Sequence, residues 1–259
     1  MKVNLTVICP GIRPQKWQKL YDSVGSSFSG SWEIIFIGPY GLPESLINKP
    51  NVKYIEDWGT PIRCQQIGLI NSQGDWINWA ADDGYFHPQS MDIAFEKLKK
   101  VNFDYKTVVM GKYLEGSLQY FTMLADEYYV LSNHEGSHKV KLPAHYLMLN
   151  LGLVSRKLLL EVGGWDCQFE VCPMAYNDLA IRLQNYGCPF IIQNEIMFSC
   201  KHLPGRAGDH GPIHDAQIDH DEPLFRTIYN QDDAMQRVKI DINNWKNVPD
   251  RWERRFNAN

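Results

Sequence analysis

The chain has 259 residues, 44% of them hydrophobic, and a formal net charge of −4. That is enough apolar material for one α/β domain with a sizeable core, and the acidic balance makes no case for nucleic acid as a partner. No apolar run approaches the roughly 18 residues of a membrane span.

In chain order, Val3 to Cys9 is β-branched and apolar and stops at Pro10-Gly11, which reads as a buried first strand. A helical stretch follows, with Trp17, Leu20, Tyr21 and Val24 at helix-like spacing. Trp32 to Ile37 is a second continuous apolar run, closed by Gly38-Pro39, and Val52 to Ile55 reads as a short third strand. Thr60-Pro61 opens another helix, with proline at its first position. Trp76 to Trp79 then runs into two adjacent carboxylates, Asp82 and Asp83, with Gly84 beyond. Strand, helix, strand, strand, helix, strand and paired aspartates describe an α/β nucleotide-binding half. Ligands of such open sheets sit outside the carboxyl ends of the strands, where a carboxylate pair suits a divalent cation on a diphosphate.

Later motifs extend the pattern. Asn150 to Val154, Gly163-Gly164-Trp165-Asp166 and Asp178-Leu179-Ala180-Ile181-Arg182-Leu183 follow in that order. With the opening strand and its Pro10, the second strand and the Gly74 to Asp83 segment, they resemble the family 2 glycosyltransferases of the GT-A fold over roughly residues 3 to 202. The resemblance implies a GT-A, Rossmann-like open mixed sheet flanked by helices in a single domain. Within it, a nucleotide-sugar half would run to about residue 112, an acceptor half with a loop to about 222, and a C-terminal appendage to 259. It also implies an inverting, metal-dependent transfer of a sugar, of hexosyl type, from a nucleoside-diphosphate donor to a hydroxyl of a glycan or other acceptor. Mn²⁺ or Mg²⁺ would neutralise the leaving diphosphate.

The family's metal-facing residue is the later aspartate of its motif, which points to Asp83, with Asp82 as a second metal ligand or a ribose contact. Ala81 and Gly84 depart from the commoner Asp-x-Asp-Asp, so the division between the two stays open. Donor contacts are expected from Pro10, Arg13, Tyr40, Asp57, Arg63 and Arg206. Tyr40 stands where the family often has an aspartate; stacking on a base and a plain turn tyrosine are the two readings. Arg13 and Arg63 are either phosphate ligands or solvated cations.

For the base, Asp178 fits the helix motif, while a helix cap is the rival reading. Tyr176 occupies the family's usual base position and is a poor base at a reference pKa of about 10, so Glu170 and Asp166 stay as substitutes. Trp165 and Asp166 would form an acceptor platform, unless Trp165 is a core residue. Residues 200–215 are rich in His, Gly and Pro. They suggest a lid in which His202 or His210 completes the metal shell, with a zinc site of Cys200, His202, His210 and His214 as the alternative.

The tail mixes Trp245, Trp252, Arg254, Arg255 and Phe256; packing on the core is the default, and a peripheral membrane contact stays open. The N-terminus shows no signal-peptide pattern, and six scattered cysteines without a CxxC pair read as free thiols. Both point to the cytoplasm. A nucleotidyltransferase and a non-catalytic carbohydrate- or nucleotide-binding protein are the alternative functions.

Overall fold

A computed structural model describes residues 3–115, 122–123, 146–200, 208–229 and 236–256. Strand β1 (Leu5–Pro10) is followed by α1 (Pro14–Ser27), β2 (Trp32–Gly38), the short α2 (Glu44–Ile47) and β3 (Val52–Glu56). Then come α3 (Pro61–Asn71), β4 (Trp76–Trp79), β5 (Gly84–Phe86), α4 (Ser90–Lys100), β6 (Val108–Glu115) and β7 (Thr122–Met123). The rest comprises β8 (Gly152–Ser155), α5 (Arg156–Val162), α6 (Cys172–Asn185), β9 (Phe190–Cys200), α7 (Gly211–Ala216), α8 (Glu222–Tyr229) and α9 (Glu253–Phe256).

These strands form a nine-stranded mixed sheet in the order β3-β2-β1-β4-β8-β6-β9-β5, with β7 on β6. Strands β3, β2, β1 and β4 are parallel, so their carboxyl ends share one edge. Strand β8 runs antiparallel to both β4 and β6, and β9 lies parallel to β6. Helices on both faces explain the uniform apolarity of the first strands: Leu5, Val7, Ile8 and Cys9 of β1 are all fully buried.

Local chemistry sets the helix boundaries. Helices α1 and α3 begin at proline, which needs no partner for a missing N–H. Thr60 caps α3 by accepting the Arg63 N–H at 3.1 Å. Helix α1 buries Trp17, Leu20 and Val24, and Trp17 stacks on Phe36 of β2 at 4.5 Å and 9°. Such a pair contributes about 0.5–1.5 kcal/mol beyond its burial. Helix α5 ends at Gly163 and Gly164, both with positive φ (91° and 72°). This reversal is available to glycine at little cost, and it turns Trp165 into the core. Helix α6 starts at Cys172-Pro173, so Asp178 lies inside the helix and is not the helix cap of the rival reading.

Among the described residues no helix is long and apolar enough to cross a membrane, and the cysteines form no disulfide.

Candidate functional site

A cleft of about 250 Å³ opens where the parallel strands end. The end of each strand or the segment after it supplies part of its wall: Pro10 to Arg13 at the end of β1, Gly38 and Pro39 at the end of β2, Asp57 and Gly59 after β3, and Ala80 to Asp83 after β4. Tyr113 of β6, Phe198 and Cys200 of β9, and Cys172 and Tyr176 of α6 continue the wall. His210, Ile213, Trp252, Arg255 and Phe256 from the C-terminal part of the chain complete it.

The two adjacent aspartates have different surroundings. Asp82 is buried and accepts the backbone N–H groups of Ile12 (2.7 Å) and Arg13 (2.8 Å). Its other oxygen is ion-paired with the Arg13 guanidinium. Its hydrogen-bonding capacity therefore goes into fixing the loop after β1. Asp83 is half-buried, lines the cleft, and among the described residues accepts only the weak Cys200 Sγ–H at 3.6 Å. Asp83 is thus the carboxylate with oxygens to spare.

Arg13 sits between anions. Its Nε and Nη2 donate to the two oxygens of Asp209 at 2.9 and 2.8 Å, while Nη1 faces Asp82. Burial opposes its charge, but the bond to Asp209 and the fields of Asp82 and Asp83 outweigh that and hold its pKa above the ordinary arginine value. Arg255 donates from Nη2 to the Asp209 carbonyl at 3.0 Å. Burial lowers the Arg255 pKa, with Asp209 and Asp82 opposing and Arg13 adding to the shift. Asp209 itself is pulled below the usual carboxylate range: its partial burial works the other way, and the Arg13 hydrogen bond and charge prevail.

Several residues expected at the site have other work. Asp57 pairs with Arg63 at 3.0 Å and accepts the Gly59 N–H at 2.8 Å. Arg63 is buried and donates to the carbonyls of Trp245 and Val248, so it holds the C-terminal segment and does not line the cleft. Pro10 does line it, whereas Tyr40 stands exposed outside the lining, edge-on to Trp58 at 5.9 Å.

The three candidate bases lie away from the cleft. Asp178 is fully buried: one oxygen meets Arg182 Nε at 2.7 Å, and the other accepts the Tyr229 hydroxyl at 2.8 Å and has Arg237 at 3.2 Å. With no exposed oxygen, it cannot meet an acceptor hydroxyl without unpacking α6. Asp166 is buried against Arg237 and accepts the Gln168 N–H at 3.0 Å. Glu170 pairs with Arg254 at 3.1 Å. Trp165 is completely buried, edge-on to Trp79 at 5.3 Å, which makes it a core residue and removes the acceptor platform. Tyr176 reaches the cleft, but burial followed by the nearby Cys172 raises its pKa well above the ordinary value, and its hydroxyl donates to Gln65 at 2.9 Å.

His202 and Arg206 lie outside the described residues. His210 is a cleft residue. Among the described residues no three His, Cys, Asp or Glu side chains gather as a ready-made metal cage, so the described part of the proposed zinc set (Cys200, His210 and His214) does not form one. Sequence reasoning noted Arg255 only as part of the tail and did not bring it or Asp209 to the site. The pairing of Arg254-Arg255 with aromatic neighbours was the available signal, and nothing local tells that Arg255 turns inward.

No family model and no curated protein matches the sequence. Solved structures do. The Staphylococcus aureus TarS crystal structure superimposes on 86% of this chain and 41% of its own, with 12% identity and a TM-score of 0.57. TarS 1–349 in complex with UDP matches over 86% of this chain and 68% of its own, also at 12% identity and 0.57. The complex with UDP-GlcNAc gives 12% identity, 86% and 69% coverage, and a TM-score of 0.53. The chain thus spans 41% of the longer TarS chain. At this identity the likeness is one of fold.

Proposed function

We propose that the chain is a glycosyltransferase that binds a nucleoside-diphosphate sugar in the cleft at the ends of β1 to β4. The observation that carries this reading is the Asp83 carboxylate, open to a cleft that two guanidiniums, Arg13 and Arg255, also line. Negative charge builds on the leaving diphosphate, and fixed positive groups aimed at it lower the barrier. The fold of TarS, a glycosyltransferase solved with UDP and with UDP-GlcNAc, supports the same reading. So does the order of motifs from Pro10 to Leu183, which resembles that of the GT-A enzymes of family 2. In this reading the nucleotide half reaches about residue 112 and the acceptor half begins there.

The donor set fits a hard divalent ion in part. Small cations such as Mg²⁺ are held by one or two carboxylates plus substrate phosphates and need no all-protein cage. Asp83 supplies one such oxygen ligand and His210 also lines the cleft, while Asp82 is already committed to Arg13. Bound there, Mn²⁺ or Mg²⁺ would neutralise the departing diphosphate as a Lewis acid. Arg13, fixed at its backbone by Asp82, keeps its charge aimed at the cleft without the metal. Trp79, Phe198 and Trp252 make part of the cleft wall apolar, and a less polar surrounding strengthens these charges. With Asp178, Asp166 and Glu170 directed elsewhere, the described cleft offers His210 and Asp83 as groups able to accept a proton.

That dearth of a dedicated base favours one second reading, a nucleotide-sugar-binding protein that does not transfer. Release of free nucleoside diphosphate from a panel of sugar nucleotides, with and without Mn²⁺, separates the two. The transferase reading expects metal-stimulated release that Asp83→Ala abolishes. Nucleotide binding without release from any donor would replace it with the binding reading.

A further inference from the structure

We propose that the Arg13–Arg255 pair is the phosphate-binding site of the cleft and that Asp209 is its resident anion, which an incoming diphosphate displaces. The inference rests on the cleft being a nucleotide site. It adds an internal competitor and a phosphate ligand from the C-terminal segment.

The geometry is that of an occupied anion site. Arg13 presents its Nε and Nη2 edge to both oxygens of Asp209, at 2.9 and 2.8 Å. A carboxylate and a phosphate offer a guanidinium the same two-oxygen edge, so one fork cannot hold both at once. The remaining side of Arg13 is bound to Asp82, which also accepts the Ile12 and Arg13 backbone N–H groups. Arg13 is therefore held in place from behind, and the exchange needs no movement of the cation. Asp209 differs from Asp82 in being replaceable: its side chain is 39% exposed and lies on the single turn Gly208–His210. Its carboxylate can therefore pass to water when another anion takes the fork, although Arg13 itself is largely buried.

Arg255 completes the pair. It lines the cleft and touches Asp209 only through the backbone carbonyl, at 3.0 Å, so its own charge is not neutralised by that contact. Arg13 and Arg255 repel each other, which the Asp209 carboxylate relieves. A diphosphate relieves it more strongly, and its charge repels Asp209. Binding the ligand and releasing Asp209 are in this way one exchange.

The test is calorimetric titration of inorganic pyrophosphate in metal-free buffer, which separates this site from any metal-mediated contact. Asp209→Asn removes the competing charge and should tighten pyrophosphate binding roughly 2- to 5-fold, the range that an exposed ion pair gives. Arg255→Gln should weaken binding, and Asp209→Asn with Arg255→Gln should lose the gain. Asp219→Asn is the charge-matched control on the same segment, with its carboxylate 3.9 Å from Arg254. Circular dichroism melts confirm that each variant is folded. Tightening in Asp209→Asn alone supports the proposal. Unchanged or weaker binding, an equal gain in Asp219→Asn, indifference to Arg255→Gln, or no pyrophosphate binding by any folded form overturns it. Sugar-nucleotide turnover is read separately: a confirmed exchange without turnover would leave the phosphate site standing and remove only the transferase reading.

Discussion

At the scale of single residues, a carboxylate's neighbours decide its chemistry more than its place in a motif. Asp82 and Asp83 are adjacent, yet Asp82 has its oxygens filled by Arg13 and two backbone N–H groups, while Asp83 keeps capacity for a ligand. Asp178 is the extreme case, fully buried and paired with Arg182. Breaking one side of such a pair leaves an uncompensated buried charge and costs about 3–5 kcal/mol. We expect Asp178→Asn to lose stability on that scale, because the new amide turns a poor partner towards the Arg182 guanidinium. Urea unfolding at neutral pH measures it; a variant as stable as the wild type that fails in transfer would return the base role to Asp178. The Asp178–Arg182 pairing was legible, since carboxylate and arginine at i and i+4 share a helix face. Its burial was not, because Tyr229 and Arg237, which enclose it, arrive from more than fifty residues downstream.

At the scale of elements, the cleft depends on how closely the strand ends approach. The Gly11 N–H donates to the Ile37 carbonyl at 2.9 Å, and the Gly38 carbonyl accepts the Asp57 N–H at 3.2 Å and the Tyr54 hydroxyl at 2.8 Å. A Cβ on Gly38 would run into the Gly11 carbonyl oxygen, which is backbone and cannot swing away. Gly38→Ala should therefore force the ends of β1 and β2 apart, with a loss of about 1–3 kcal/mol typical of overpacking and weaker nucleotide binding. A thermal melt and a UDP titration check both; a variant unchanged in each would show that the close approach is dispensable. Strands β1 and β2 announce themselves as continuous apolar runs ended by Gly and Pro, and all four parallel strands lie within two residues of their expected positions. The other half is less legible. Strand β9 spans eleven residues with Gln193, Asn194 and Glu195 in its middle, and its partners β6 and β5 are set by distant pairings that no local pattern encodes.

At the scale of the whole molecule, the C-terminal segment closes a structure that the parallel strands leave open. It is gripped at several points. Gln66 donates to the Ile242 carbonyl at 2.9 Å, Asn244 accepts the Cys167 N–H at 2.8 Å, and the Trp252 N–H donates to the Trp58 carbonyl at 2.8 Å. Arg63 is the central clasp: one guanidinium joins Asp57 in the cleft wall to the Trp245 and Val248 carbonyls and lies 5.0 Å from the Trp245 ring. The segment could be read from sequence as packing on the core, but not as a wall of the site, because Trp252, Arg255 and Phe256 reach the cleft through contacts with residues nearly two hundred positions away. Lysine keeps the charge of Arg63 and lacks the planar fork that serves carboxylate and carbonyls together. In Arg63→Lys we expect amide exchange to speed up across residues 240–256 while β1, β2 and β4 keep their protection, and pyrophosphate binding at the proposed Arg13–Arg255 site to weaken with Arg255 no longer held at the cleft. Exchange that rises equally in the central strands would mean that Arg63 supports the whole fold. Unaltered protection at Trp252 would show that the remaining contacts hold the segment without it.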